Sequence, residues 1–195
     1  EDAKLLEDLY ESFKANGATL NKDDKEKYRK LSMDLSMLTL QFDQNALKDK
    51  NRFELLITDE NELSGLPESA RDAAAMLAKS KDKNGWLFNL SAPSYIPFMR
   101  YSDKRDLREK MYREYMSVGN KGDEFDNKDI IKKIVNIRLE IAQLMGFKNY
   151  AEYALEHTMA KNSANVYKLL NQLLEAYKPI AINEYNAVEG FALGT

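Results

Sequence analysis

Few side chains in this 195-residue chain could carry out chemistry. His157 is the only histidine and there is no cysteine, which excludes disulfides and a thiol nucleophile. A helical zinc-peptidase site needs two histidines in an H-E-x-x-H motif, and one histidine cannot supply it. No G-x-S-x-G elbow accompanies a serine either. We therefore interpret His157 as an ordinary surface or core residue, and predict no catalytic and no metal-binding residue in the chain.

The best candidates for binding lie between Ser91 and Tyr101, a stretch rich in aromatic residues and prolines. Tyrosine offers an apolar face and a hydroxyl to a peptide backbone, and arginine can hold a carboxylate through two parallel hydrogen bonds. Tyr95, Arg100 and Tyr101 are therefore the candidates to line a groove that grips a peptide. The alternative is ordinary core packing at a strand-to-helix junction.

A run of basic residues overlaps this stretch and alternates with acidic ones. It comprises Arg100, Lys104, Arg105, Arg108, Lys110 and Arg113. Its simpler interpretation is a helix face held by salt bridges between neighbouring turns. The functional alternative is a wall that attracts a peptide carboxylate through its arginines.

The composition is that of a globular protein, with 44% hydrophobic and 31% charged residues. The formal net charge of −3 gives no basic excess, so we expect no nucleic-acid partner. No run approaches the ~18 apolar residues of a membrane span, so no membrane partner is expected. Both ends of the sequence read as internal, which suggests a piece excised from a longer protein.

The periodicity predicts a mainly α fold, a bundle-like lobe treated as one helical fragment over residues 1–195. Residues 1–50 are predicted to form a helical hairpin, with Asn21 as the N-cap of its second helix. The apolar stripes over 28–42, 130–144 and 166–177 are expected to cover one another.

Residues 51–101 are predicted to be a mixed connector. Alternating apolar residues around 52–58 and 85–91 predict two short strands in one small sheet. Pro67 is well placed to begin an alanine-rich helix. Pro93 and Pro97 are expected to enforce a compact connector.

Residues 102–195 are predicted to be helical again. Ser102 is assigned as an N-cap, Asn149 begins a short helix, and Ser163 begins a long one. Pro179 should kink or break that last helix, because proline lacks an N–H group and clashes with the preceding turn.

Several motifs in a fixed order carry a resemblance to a known family. They are residues 62–68 (ELSGLPE), 85–95 (GWLFNLSAPSY), 105–112 (RDLREKMY), Asp126-Asn127, 138–153 (RLEIAQLMGFKNYAEY) and Met159-Ala160. Together they resemble the thimet oligopeptidase family of zinc metallopeptidases, in particular its bacterial oligopeptidase A and peptidyl-dipeptidase branch. The match extends over most of the chain from about residue 20 onward.

The resemblance implies a parent that is a large helical peptidase, with a deep channel and a zinc-bound water that hydrolyses short peptides. It also implies that the zinc ligands lie C-terminal to this region, so no catalytic residue carries over. The chain would then be a channel wall that restricts substrates, inactive alone, with short peptides and the missing catalytic lobe as partners. A cytoplasmic location is expected, with a periplasmic one left open. The alternative function is a non-catalytic helical protein-interaction module.

Overall fold

The computed structural model describes residues 2–194 and confirms a mainly α fold with one small antiparallel sheet. Two compact units are present: the described residues up to Met33 and from Asn136 onward form one, and Asp34–Val135 form the other. The helices are α1 Asp2–Ala15, α2 Lys22–Arg52, α3 Glu68–Ser80, α4 Ala92–Tyr101, α5 Arg105–Met116, α6 Lys128–Leu144, α7 Tyr150–Leu155 and α8 Ser163–Gly194. The strands are β1 Leu55–Ile57 and β2 Trp86–Phe88, and a short 3-10 helix spans Glu60–Leu63.

The predicted sheet is confirmed and its register is antiparallel. Leu55 lies opposite Phe88, and Ile57 lies opposite Trp86. Leu55 and Ile57 are buried while Leu56 between them is exposed, because successive side chains of a strand point to opposite faces.

The core of the 34–135 unit is built around this sheet. The rings of Phe88 and Phe98 meet edge to face, with centroids 4.8 Å apart and planes at 67°. The buried cluster comprises Phe53, Leu55, Ile57, Leu63, Leu66, Ala74, Phe88, Leu90, Phe98 and Met111.

A buried carboxylate joins two distant parts of the same unit. Asp49, near the end of α2, is fully buried. Its carboxylate accepts hydrogen bonds from the Gly119 N–H at 2.7 Å and from Lys121 Nζ at 3.1 Å, and it lies 2.7 Å from Arg52 Nε. The loop that follows α5 is thereby tied to α2 by charge-assisted hydrogen bonds, which are stronger than neutral ones.

The other unit contains a hydrogen bond between residues far apart in the sequence. The Tyr153 hydroxyl of α7 donates to the Ala15 carbonyl at the end of α1, at 2.8 Å. Burial raises the pKa of Tyr153, and the neighbouring Tyr28 hydroxyl adds to this effect. The phenol therefore remains a hydrogen-bond donor at neutral pH.

The predicted caps of α2 and α7 are confirmed. The Asn21 side-chain oxygen accepts from the Asp24 N–H at 2.9 Å, and that of Asn149 accepts from the Glu152 N–H at 3.0 Å. Each satisfies an N–H group that has no partner within its own helix.

Two features around α4 differ from expectation. Pro93 and Pro97 lie inside a helix, where the sequence predicted only a compact connector. Pro93 occupies the first turn, where an N–H would have no intrahelical partner, and Pro97 removes one intrahelical hydrogen bond without ending the helix. Ser102 ends α4 instead of capping the next helix, whose N-cap is Lys104.

The C-terminal helix differs from expectation in two ways. It continues through Pro179, so the predicted break is wrong. Its apolar stripe over 166–177 is not covered within the described residues, and Leu173 remains 43% exposed. No helix in the part of the chain that the structure describes is long and apolar enough to cross a membrane.

Candidate substrate-contacting surface

The link between α4 and α5 is held in place by the turn after the 3-10 helix. The Asp103 N–H donates to the Ser64 carbonyl at 2.9 Å, and the Ser64 hydroxyl donates to the Asp103 carboxylate at 2.6 Å. Gly65 has φ +83°, and a Cβ there would lie 2.1 Å from the Tyr101 carbonyl oxygen. Glycine is therefore required by both conformation and space, and the ends of the two helices are fixed relative to each other.

Tyr95 faces its own unit and has limited freedom to bind a ligand. Its ring stacks on that of Tyr115 from α5, with centroids 4.2 Å apart and planes at 17°. It also packs against the core cluster. Burial, followed by the neighbouring Tyr115 and Tyr112 hydroxyls, raises the pKa of Tyr95, so its phenol stays protonated at neutral pH.

Arg100 and Tyr101 lie at the exposed C-terminal end of α4. The Arg100 guanidinium lies over the Tyr101 ring, 5.3 Å from its centroid. At 3.6 residues per turn, both residues are displaced by more than about 100° around the helix from Tyr95. The structure thus brings Arg100 and Tyr101 together, while Tyr95 contacts a different set of side chains.

The basic run forms fewer ion pairs than its alternating charges suggest. Within residues 2–194, one of its members forms an ion pair: Arg113 Nη2 lies 2.6 Å from the Glu109 carboxylate. Arg108 donates instead to the Ser102 carbonyl. The interpretation as a face of salt bridges therefore applies to one end of α5 only.

An open groove of about 440 Å³ lies along α5, and sequence reasoning missed its aromatic member. It is lined by Met99, Arg105, Arg108, Glu109, Tyr112 and Arg113. Steps of three and four residues place the five α5 residues on one helix face. The same spacing in the sequence is the signal that groups Tyr112 with the arginines.

No metal centre can be assigned to the described residues. Within residues 2–194, no three His, Cys, Asp or Glu side chains are arranged so that they could hold a metal ion. His157 Nε2 lies 3.5 Å from the carboxylate of its neighbour Glu156, and its side chain is 46% exposed. Zinc, which the resemblance implies for a longer protein, does not fit the residues present here.

Comparison with known proteins confirms the resemblance. Residues 98–193 match the model of peptidase family M3. The chain is 37% identical to oligopeptidase A from Haemophilus influenzae over 96% of this chain, and 37% identical to a probable cytosolic oligopeptidase A from Arabidopsis thaliana over 97% of it. It is 29% identical to a dipeptidyl carboxypeptidase from Escherichia coli over 97% of this chain.

These matches show that the chain is similar to peptidase family M3 and to its oligopeptidases along nearly its whole length. Among the relatives named, the two called oligopeptidase A have the higher identity. The chain spans 28% of the length of each of these three relatives.

Proposed function

We propose that this chain is a non-catalytic helical part of a longer zinc metallopeptidase, and that it contributes to the channel wall that restricts substrates to short peptides. The observation that carries the proposal is similarity to oligopeptidases along nearly the whole chain, combined with coverage of 28% of the relatives. Zinc and the hydrolytic residues would then belong to the longer protein. The name of the Arabidopsis relative favours a cytoplasmic location.

Exposed apolar side chains support a role as one lobe of something larger. Leu5, Leu6 and Phe13 of α1 are each more than 60% exposed, although they share a helical stripe. Water-exposed apolar surface of this kind is typical of a face that another part of a protein covers. We propose that the missing catalytic lobe is that covering part.

The experiment compares two proteins with one substrate set. The longer protein that contains this chain should hydrolyse short peptides and lose that activity on removal of zinc. The chain alone should have no activity with or without added zinc, because it has one histidine and no H-E-x-x-H motif. Turnover by the isolated chain that disappears in His157→Ala would contradict the proposal.

Substrate contact by Arg100 is tested in the longer protein. If the Arg100 guanidinium holds a substrate carboxylate, Arg100→Ala should lower kcat/KM by a factor that corresponds to about 1.5–3 kcal/mol. The loss should be mainly in KM if the contact is the same in ground and transition states. Tyr95→Phe removes only a hydroxyl and tests the second predicted contact. Unchanged kcat/KM in both variants, with the fold intact, would leave Arg100 and the Tyr95 hydroxyl with structural roles only.

A helical protein-interaction module is the alternative, and the exposed stripe of α8 is the observation that favours it. A longer protein without peptidase activity, but with a macromolecular partner that protects α8 from hydrogen exchange, would support this alternative. Peptide hydrolysis by the longer protein would reject it.

A further inference from the structure

The groove along α5 carries a local charge opposite to that of the whole chain. Three guanidinium groups and one carboxylate line it, which leaves a surplus of two positive charges, whereas the formal net charge of the chain is −3. The orientation of α5 is fixed because Met111 is buried in the core and Leu107 packs against it. The face that carries Arg105, Arg108 and Tyr112 is therefore held outward.

The three arginines differ in whether their guanidinium groups already have partners within the chain. Arg113 is paired with Glu109, and Arg108 is half-buried and donates to the Ser102 carbonyl. Arg105 has no hydrogen-bond or ion-pair partner among residues 2–194 and is exposed at the first position of α5. The positive end of the helix dipole lies at that position and adds to the field of the guanidinium.

The uncharged residues that line the groove favour one class of anion over others. Tyr112 offers a ring and a hydroxyl, and Met99 offers an adaptable apolar side chain beside the cations. A planar carboxylate flanked by apolar groups matches this combination, because arginine binds it in two parallel hydrogen bonds. The chain as a whole has an acidic surplus, which argues against a polyphosphate backbone as the ligand.

We propose that this groove binds a carboxylate of a peptide, with Arg105 as the principal contact and Arg108 and Tyr112 beside it. The proposal rests on the proposed peptidase function for the identity of the ligand, and it deepens that function by naming the substrate class. Peptides that carry an acidic side chain or a free C-terminus would be held at this face of α5.

Binding is measured on the chain itself with three N-acetylated peptides of equal length, by calorimetry and by backbone amide shifts. One is an alanine peptide with a free C-terminus, one is amidated with a central glutamate, and one is amidated with glutamine at that position. We expect shifts along α5 with one or both carboxylate peptides and none with the glutamine peptide. The peptide that binds identifies the carboxylate as terminal or as a side chain. Binding should weaken as salt rises, because the groove is exposed.

Arg105→Gln should weaken binding of the carboxylate peptide by about 3- to 10-fold, the range of an exposed charge-assisted contact. Lys110→Gln is the matched control, because it removes the same charge from the same helix outside the groove. A cation at the first position of α5 interacts unfavourably with the helix dipole. Its removal should therefore not destabilise the helix, and the variant should fold. Equal weakening by both substitutions, equal binding of the glutamine peptide, or no binding at all would overturn the proposal.

Failure of this proposal is distinguishable from failure of the proposed function. If the longer protein hydrolyses short peptides, but Arg105→Gln leaves its preference for acidic over neutral peptides unchanged, the groove has no role and the peptidase function stands. If the chain binds the carboxylate peptides through Arg105 and the longer protein hydrolyses nothing, the groove is a ligand site and the peptidase function is wrong.

Discussion

The core around the small sheet and the C-terminal helix α8 are both built from strongly apolar segments, but they end in opposite environments. Leu90, Phe98 and Met111 are fully buried. In α8, no described residue is buried, and Leu173 and Leu174 are 43% and 57% exposed. An apolar stripe thus indicates which helix face will be covered, while the covering surface need not belong to the same chain.

The largest expected effect tests this difference with one chemical change at two sites. Leu90→Ala should lower the free energy of unfolding by about 2–5 kcal/mol, because it removes buried methyl groups and leaves a cavity. Leu173→Ala should change it by less than about 0.5 kcal/mol, because the side chain is already partly hydrated. Urea unfolding of both variants gives the two values, and similar losses would mean that α8 is covered in solution.

A second test concerns the buried charge that ties the α5–α6 loop to α2. Asp49→Asn should lower the free energy of unfolding by about 2–3 kcal/mol, because it weakens buried charge-assisted hydrogen bonds to Gly119 and Lys121. Asp43→Asn, an exposed position on the same helix, is the control and should be nearly neutral. A neutral result at Asp49 would show that the loop is held by other contacts.

The tight turn at Gly65 offers a third test, with a glycine of similar backbone as its control. Gly65 and Gly122 have φ of +83° and +73°, but only Gly65 has atoms within 4 Å of an added Cβ. Gly65→Ala should therefore cost about 1–2 kcal/mol more than Gly122→Ala, since both add backbone strain and only the first adds a clash. Chemical denaturation measures the difference, and equal costs would contradict the close approach to Tyr101.

The smallest effect is a pH dependence from an ion pair near β1. Lys81 and Lys83 hold the pKa of Glu54 below its usual range, so the folded state favours the carboxylate. The resulting stability is present above the unfolded-state pKa of about 4.3 and is lost as pH falls through the lower folded-state value. At pH 7 the free energy of unfolding of the wild type should exceed that of Glu54→Gln by less than about 1 kcal/mol. A gap that does not shrink by pH 3 would contradict this origin.

Local signals predicted local structure well. Asn21 and Asn149 were identifiable as caps because a cap requires a side-chain oxygen at one defined position before a helix. The sheet was predictable because Leu55 and Ile57 alternate with exposed residues. The helix α4 was not, since Pro93 and Pro97 normally oppose helix; Pro93 is tolerated in the first turn, whereas Pro97 lies in the interior of the helix.

Tertiary features were harder to obtain from sequence. Asp49 gives no local sign that it will meet Gly119, 70 positions along the chain. Stacking of Tyr95 on Tyr115 depends on how α4 and α5 are placed, so the contacts of the candidate residues could not be predicted. The exposure of α8 could not be obtained from its periodicity, because an apolar stripe does not show whether another element packs on it.

Trp86, the only tryptophan, provides a spectroscopic consequence of the fold. It lies in β2 and packs against the core cluster, so its fluorescence reports on the unit formed by Asp34–Val135. Far-ultraviolet circular dichroism instead records every helix, including the 32 residues of α8. Coincident transitions from the two probes would indicate one cooperative unfolding event, whereas an earlier loss of dichroism would reveal helix that melts while the tryptophan environment is still native.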